Sequence, residues 1–92
     1  MADPTTVACP EGAWTKVITN KTTGQIHTLF TAGADGSNLV YLSTYRATGG
    51  AVPTLITEGI PIEGITAEVQ SASGIDVYIW CMGAAGSVRV DV

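Results

Sequence analysis

A chain of 92 residues has room for one domain and one core, and a domain of that size buries only about 60–65% of its extendable surface. Charged residues make up 13% of the chain and hydrophobic residues 46%, and the net charge is −4. The negative balance and the scattered cations Lys16, Lys21, Arg46 and Arg89 argue against a nucleic-acid groove, so no DNA or RNA partner is expected, and Cys9 and Cys81 are too few for a disulfide scaffold or a Cys/His metal cluster.

Small domains usually add a disulfide, a metal or self-association to a thin core, and self-association is the supplement left here. A surface so poor in charge suits a molecule whose outside will be covered by partners. The first residues, Met1-Ala2-Asp3-Pro4-Thr5-Thr6, carry neither a basic leader nor an apolar core, so no secretory signal is expected. No apolar run approaches the ~18–20 residues of a membrane span. Synthesis and folding in a cytoplasm, with no membrane partner, are therefore expected.

In chain order, residues 1–11 are expected as an extended N-terminal arm, because two prolines and two threonines give little periodicity. Such an arm either frays or lies across a neighbouring subunit and adds a strand to its sheet. Residues 12–92 are expected as a single β domain. Trp14 to Thr19 is rich in aromatic and β-branched residues and predicts the first strand. Lys21-Thr22-Thr23-Gly24 suits a hairpin turn with Gly24 at positive φ, returning through Gln25 to Thr31. Two registers remain open for this hairpin: Thr19 opposite His27, or Ile18 with Ile26 and Trp14 with Phe30.

Gly33, Asp35-Gly36 and Ser37-Asn38 form a dense turn signal. Leu39 to Arg46 predicts a strand with apolar residues on both faces, central or at an interface. Ala47 to Pro53 reads as a flexible loop, and Thr54 to Thr57 as a short strand at best. Pro61 keeps Gly59-Ile60-Pro61-Ile62 out of mid-sheet. Ile65 to Gln70 alternates as a half-exposed strand, and Ser71-Ala72-Ser73-Gly74 is expected to turn the chain. Ile75 to Cys81 then predicts one arm of a closing hairpin, with Cys81 opposite Val88, Ile79 opposite Val90 and Val77 opposite Val92. In that register Trp80 stands beside Arg89, permitting a cation–π pair, and Tyr78 beside Asp91. The sum is an all-β fold: a small antiparallel sandwich or barrel of six or seven strands.

No catalytic, cofactor or metal site is expected. His27 is the single histidine, and no serine lies in a G-x-S-x-G elbow, so His27 reads as a solvent-facing strand residue. Asp35-Gly36-Ser37-Asn38 opens like a calcium loop, but Arg46 stands where the bidentate Glu would be. The aromatics Trp14, Trp80, Tyr41, Tyr45 and Tyr78 fit core or subunit-interface packing, with a sugar-stacking platform as the alternative. Cys81 points with the valines and reads as a small buried hydrophobe.

The unled start Met1 to Thr6, the Thr/Gly/Ala/Val-rich β body, the acidic balance and the expected hairpin ending at Val92 together resemble small virion proteins of tailed bacteriophages, capsid decoration (cement) proteins above all. That resemblance implies a non-enzymatic structural protein of the virion, commonly a homotrimer, bound outside the shell around three-fold positions. It implies a major capsid protein or another virion protein as partner, with residues 2–11 as the gripping arm. The partner-binding positions expected are Pro4, Thr5, Thr6, Val7, Trp14, Tyr45, Arg46, Trp80 and Arg89. The alternative is a glycan-binding or receptor-binding β module of a phage fibre or tail.

Overall fold

The computed structural model describes residues 5–29, 39–62, 67–83 and 85–91, with 67–72 as backbone alone. Six strands form one strongly curled, half-barrel antiparallel sheet in the order β1–β6–β2–β5–β3–β4. They are β1 (Thr5–Cys9), β2 (Trp14–Thr28), β3 (Val40–Ala47), β4 (Ile60–Ile62), β5 (Ala67–Met82) and β6 (Gly86–Asp91). A single 3₁₀ turn, Ile56–Glu58, precedes β4, and the described residues contain no α-helix. The expected all-β class and strand number hold.

Two long strands, β2 and β5, set the shape. They pair from Trp14 opposite Trp80 to Ile26 opposite Ala67, and the register slips three times between Lys16 and Thr23. Each slip is a bulge or irregularity that bends the ladder and raises its twist. Asn20 sits in this stretch at φ 52, in the left-handed region. Its amide N–H donates to the Asp76 carboxylate at 2.9 Å, and Lys16 Nζ lies 3.6 Å from the same carboxylate. The bend therefore has a fixed anchor on β5. Beyond it, Gln25 is paired on both edges, with Glu68 of β5 and Asp91 of β6.

The curl brings distant strands together. Tyr41 of β3 donates its hydroxyl to the Ser87 carbonyl of β6 at 3.4 Å, although β2 and β5 stand between those strands in the sheet. Inside lie Cys9, Ile18, Ile26, Tyr41, Ile75, Val77, Ile79, Cys81, Val88 and Val90, drawn from five of the six strands. The opposite face of β5 is also covered: Trp80, Tyr78 and Asp76 line up with Leu42, Thr44 and Arg46 of β3. The end of the β3–β4 connection reaches this face, where Glu58 pairs with Arg46 and Gly59 lies against Leu42 and Trp14; Pro53 of the same connection is buried.

Three sequence expectations are corrected. The closing hairpin does not form: β5 pairs with β2 and β3, and β6 with β1 and β2. Alternation decides which face is buried but not which strand lies alongside; Val88 and Val90 still face the core. The pairing of Val77 with Val92 ends outside the described residues, but Val77 pairs with Ile18 and Tyr45. The Lys21–Gly24 hairpin is absent, because β2 runs through it and Asn20, not Gly24, takes positive φ. Ser71 to Gly74 is likewise strand, not turn. In both places small polar residues and glycine serve a bend between long strands, where the same composition in isolation reads as a reversal.

Other departures are smaller. Thr54 to Thr57 gives way to the 3₁₀ turn, and β4 is an edge strand with Pro61 at its centre, as proline requires. The turn signal at 33–38, the Trp14–Phe30 register and the inward side of Ile65 to Val69 lie outside what is described.

Candidate interaction surface

The arm expected over residues 1–11 is, from Thr5 to Cys9, a strand of the chain's own sheet, with Thr5 paired to Val90, Thr6 to Arg89 and Val7 to Val88. Pro4 lies outside the described residues. Thr5 and Thr6 are exposed, and Val7 packs half-buried against the core. As an outer strand, β1 leaves one edge open, and none of its five residues carries a charge or is proline. The opposite edge, β4, has Pro61 at its middle and so lacks a donor there.

Trp14 and Trp80 form an edge-to-face pair with ring centroids 5.5 Å apart and planes at 69°. Leu42 stands on the other side of Trp80, so Trp80 does not meet Arg89. The expected Trp80–Arg89 cation–π pair and the Tyr78–Asp91 neighbour pair are therefore corrected: the cation over an aromatic ring is Lys16, with Nζ 5.9 Å from the Tyr78 centroid. A Cβ on Gly59 would lie 2.8 Å from the Trp14 ring, so backbone sits directly on that indole. These rings are packing elements of the β5 face.

Arg89 faces His27 on one side and Thr6 on the other, with its Nε 3.5 Å from Asp91 Oδ1. His27 Nε2 lies 3.1 Å from Asp91 Oδ2. The expected solvent-facing histidine is thus half-buried beside a carboxylate, and that carboxylate's other oxygen faces Arg89. Among the described residues no group of three or more His, Cys, Asp or Glu side chains could hold a metal, and no helix is long and apolar enough to cross a membrane.

The remaining two expected positions lead to the most distinctive surface. Tyr45 is 65% exposed at the end of β3, and its neighbour Arg46 forms an ion pair with Glu58. Arg46 also donates to Thr44 Oγ1 at 3.2 Å and to the Tyr45 carbonyl at 2.9 Å. Glu58 Oε2 in turn accepts the Thr54 and Leu55 amides, each at 2.9 Å. The Leu55 and Thr54 amides, and then the Arg46 charge, hold the Glu58 carboxyl below its ordinary 4.5. Twelve residues of loop are thereby tied back to β3 at a point next to its only aromatic outlier.

What that loop and the next strand show to solvent is aliphatic: Val52 is 59% exposed, Leu55 62% and Ile60 68%. Ile60 pairs with Ser43, two residues from Tyr45 along β3, so the isoleucine and the tyrosine share a face of the β3–β4 edge. Sequence reasoning selected Tyr45 and Arg46 but missed Val52, Leu55 and Ile60. The available signal was the set of aliphatic residues from Val52 to Ile60, around Pro53 and before Pro61, with no period of two to bury it. An apolar array on an anchored segment can dock against another protein surface by excluding water. Comparisons of this chain with protein-family models, with curated proteins and with solved structures find no match.

Proposed function

We propose that this protein is a non-enzymatic structural component that self-associates and docks on a larger assembly, the outer shell of a phage capsid. The observation that carries this reading is apolar exposure at the β3–β4 end: Tyr45 and Ile60 share one face of that edge, and Val52 and Leu55 are exposed on the loop that the Arg46–Glu58 pair ties to the other face of β3. Burying a side chain of this kind is worth about 1.5–3 kcal/mol, so a few of them suffice for specific docking once ordering costs are met. Because the loop is already tied down, less entropy is lost on binding. The net charge of −4 suits an outward position, away from packaged nucleic acid. The open, uncharged β1 edge offers a second contact for the homo-oligomer, for which a trimer is the expected state.

The glycan-binding alternative has less support. It would draw on Trp14 and Trp80, whose rings meet edge to face, with Gly59 packed on the Trp14 indole. The test has two parts. Sedimentation equilibrium should give an oligomer at micromolar concentration, and Leu55→Asp or Ile60→Asp should weaken co-sedimentation with shells built from the capsid gene of the same genome. A clean monomer that ignores those shells would refute the proposal.

A further inference from the structure

We propose that Cys9 and Cys81 form a redox-sensitive lock, a reversible disulfide across the core that fastens the edge strand β1 to β5. Both stand as thiols and both are fully buried. One glycine places them. Cys9 is the antiparallel partner of Gly86, and a Cβ on Gly86 would lie 3.1 Å from Cys81 Sγ. Cβ positions of directly opposed residues are about 4.5–5.5 Å apart. The two cysteines thus approach the space above Gly86 from two sides, one from the facing strand and one from across the curl, with the Tyr41 hydroxyl beside them.

A second contact brings the strands together from another direction. Just past β1, Glu11 forms a parallel bridge with Cys81, and the Gly12 amide donates to the Cys81 carbonyl at 3.2 Å. Gly86 matters because it has no side chain; a Cβ there would press on Cys81 Sγ and on the Tyr41 hydroxyl. Cys9 Sγ now donates weakly to the Val7 carbonyl at 3.8 Å, a contact that rotation of the side chain gives up at little cost.

The chemistry requires an oxidant, and a low-molecular-weight disulfide serves. One cysteine thiolate attacks the oxidant's S–S bond, forming a mixed disulfide and expelling one small thiolate. The second cysteine sulfur then attacks the protein-side sulfur of that mixed disulfide and expels the other small thiolate. The protein gives up two protons and two electrons, and the oxidant leaves as two thiols. Burial first, and then the charge of Cys81, push the Cys9 thiol up to about 11, so the native dithiol exchanges slowly. Exchange proceeds through opening of β1, which has one neighbour instead of two.

Its consequence is mechanical. While reduced, β1 can leave β6 and pair with another chain; once oxidised, it is held in its own sheet and strand exchange stops. The lock holds whether or not the protein docks on a shell. To test it, the full chain is incubated with oxidised glutathione, once native and once during refolding from urea. Expected are a monomer lighter by two hydrogens, a Cys9–Cys81 linked peptide, and a melting midpoint higher by more than about 10 °C. Cys9→Ala and Cys81→Ala should each abolish the mass change and the shift. Two thiols surviving oxidative refolding, glutathione adducts alone, interchain dimers, or an intrachain bond that lowers the midpoint would each overturn the proposal.

Discussion

Replacing Asp76 with alanine should be among the most damaging single changes in this protein, and its cost can be worked out from two contacts. Asp76 is 3% exposed, and its carboxylate accepts the Asn20 amide at 2.9 Å while Lys16 Nζ sits 3.6 Å away. A hydrogen bond to a charged acceptor contributes about 1.5–3 kcal/mol. The lysine side chain is 42% exposed, so screening leaves that pair with no more than about 1 kcal/mol. The backbone bond therefore outweighs the ion pair, and it also holds Asn20 at a φ of 52 that asparagine adopts only at some cost.

The sum for Asp76→Ala is about 2–3 kcal/mol, reduced slightly because water can reach the exposed Asn20. For a domain of this size that is a fall of roughly 10–20 °C in melting midpoint. Asp76→Asn keeps an oxygen for the amide and should lose about half as much, while Lys16→Met should cost less than about 1 kcal/mol. Urea unfolding followed by tryptophan fluorescence measures all three. If Lys16→Met proves as costly as Asp76→Ala, the attribution to the backbone bond is wrong. If Asp76→Ala costs under about 0.5 kcal/mol, the carboxylate does not anchor the bend.

Three further outcomes are expected. The Glu58 carboxyl is depressed, so the order it gives to the Thr54 and Leu55 amides is present above its unfolded value and lost as pH falls through the lower folded one. Amide NMR shifts of Thr54 and Leu55 should therefore titrate together below pH 4.5 in the parent and stay flat in Glu58→Gln, and parent shifts that titrate above 4.5 would contradict this. The Cys9 thiol is raised from 9.0 to about 11, so its contribution is intact below pH 9.0 and fades as pH climbs toward about 11. Chemical denaturation between those limits should show alkaline destabilisation that Cys9→Ala reduces. Finally, Gly86→Ala should cost about 2–4 kcal/mol, since the new methyl would lie 2.5 Å from Tyr41 Oη and 3.0 Å from its Cζ in a filled core. Gly74→Ala meets chiefly the Asn20 side-chain oxygen, the end of an exposed side chain that can swing away, and should cost less than about 1 kcal/mol by the same thermal assay.

Strand content was legible from the alternation of Ile75, Val77, Ile79 and Cys81 and of Val88 and Val90, all of which are buried. Neighbour identity was not. A strand has two edges, and the side-chain pattern speaks only of faces, so β5 and β6 look equally suited to each other and to the strands they do pair with. The bend at Asn20 was hidden for a related reason. Its partner Asp76 is distant in sequence, and without that contact Asn20-Lys21-Thr22-Thr23-Gly24 has the composition of a turn. On the candidate surface, the scarcity of charge indicated that apolar groups would be shown somewhere, and Tyr45 and Arg46 lay at the right place. Val52, Leu55 and Ile60 could not be placed, because only the Arg46–Glu58 tie turns an apparently flexible loop into a presented one.

That tie also fixes where the apolar groups of the β3–β4 connection stand, while Leu29, Val40 and Met82 are exposed elsewhere on the described surface. The middle of the sheet has both faces occupied: the core lies on one side of β5, and on the other Gly59 sits on Trp14 and Leu42 while Glu58 pairs with Arg46. A segment used as a cover must turn some of its side chains inward, as Pro53 is, and the others necessarily outward, as Val52 and Leu55 are. Exposed ion pairs contribute little to folding. The value of Arg46 with Glu58 therefore lies in holding the outward set in one arrangement, where a free loop would have to be ordered at the moment of contact. Stability of the fold and readiness of the surface thus depend on the same few atoms, in different proportions. The core and the Asp76 anchor keep the sheet bent, and the Glu58 clasp on two backbone amides keeps the loop's outward side chains in one arrangement.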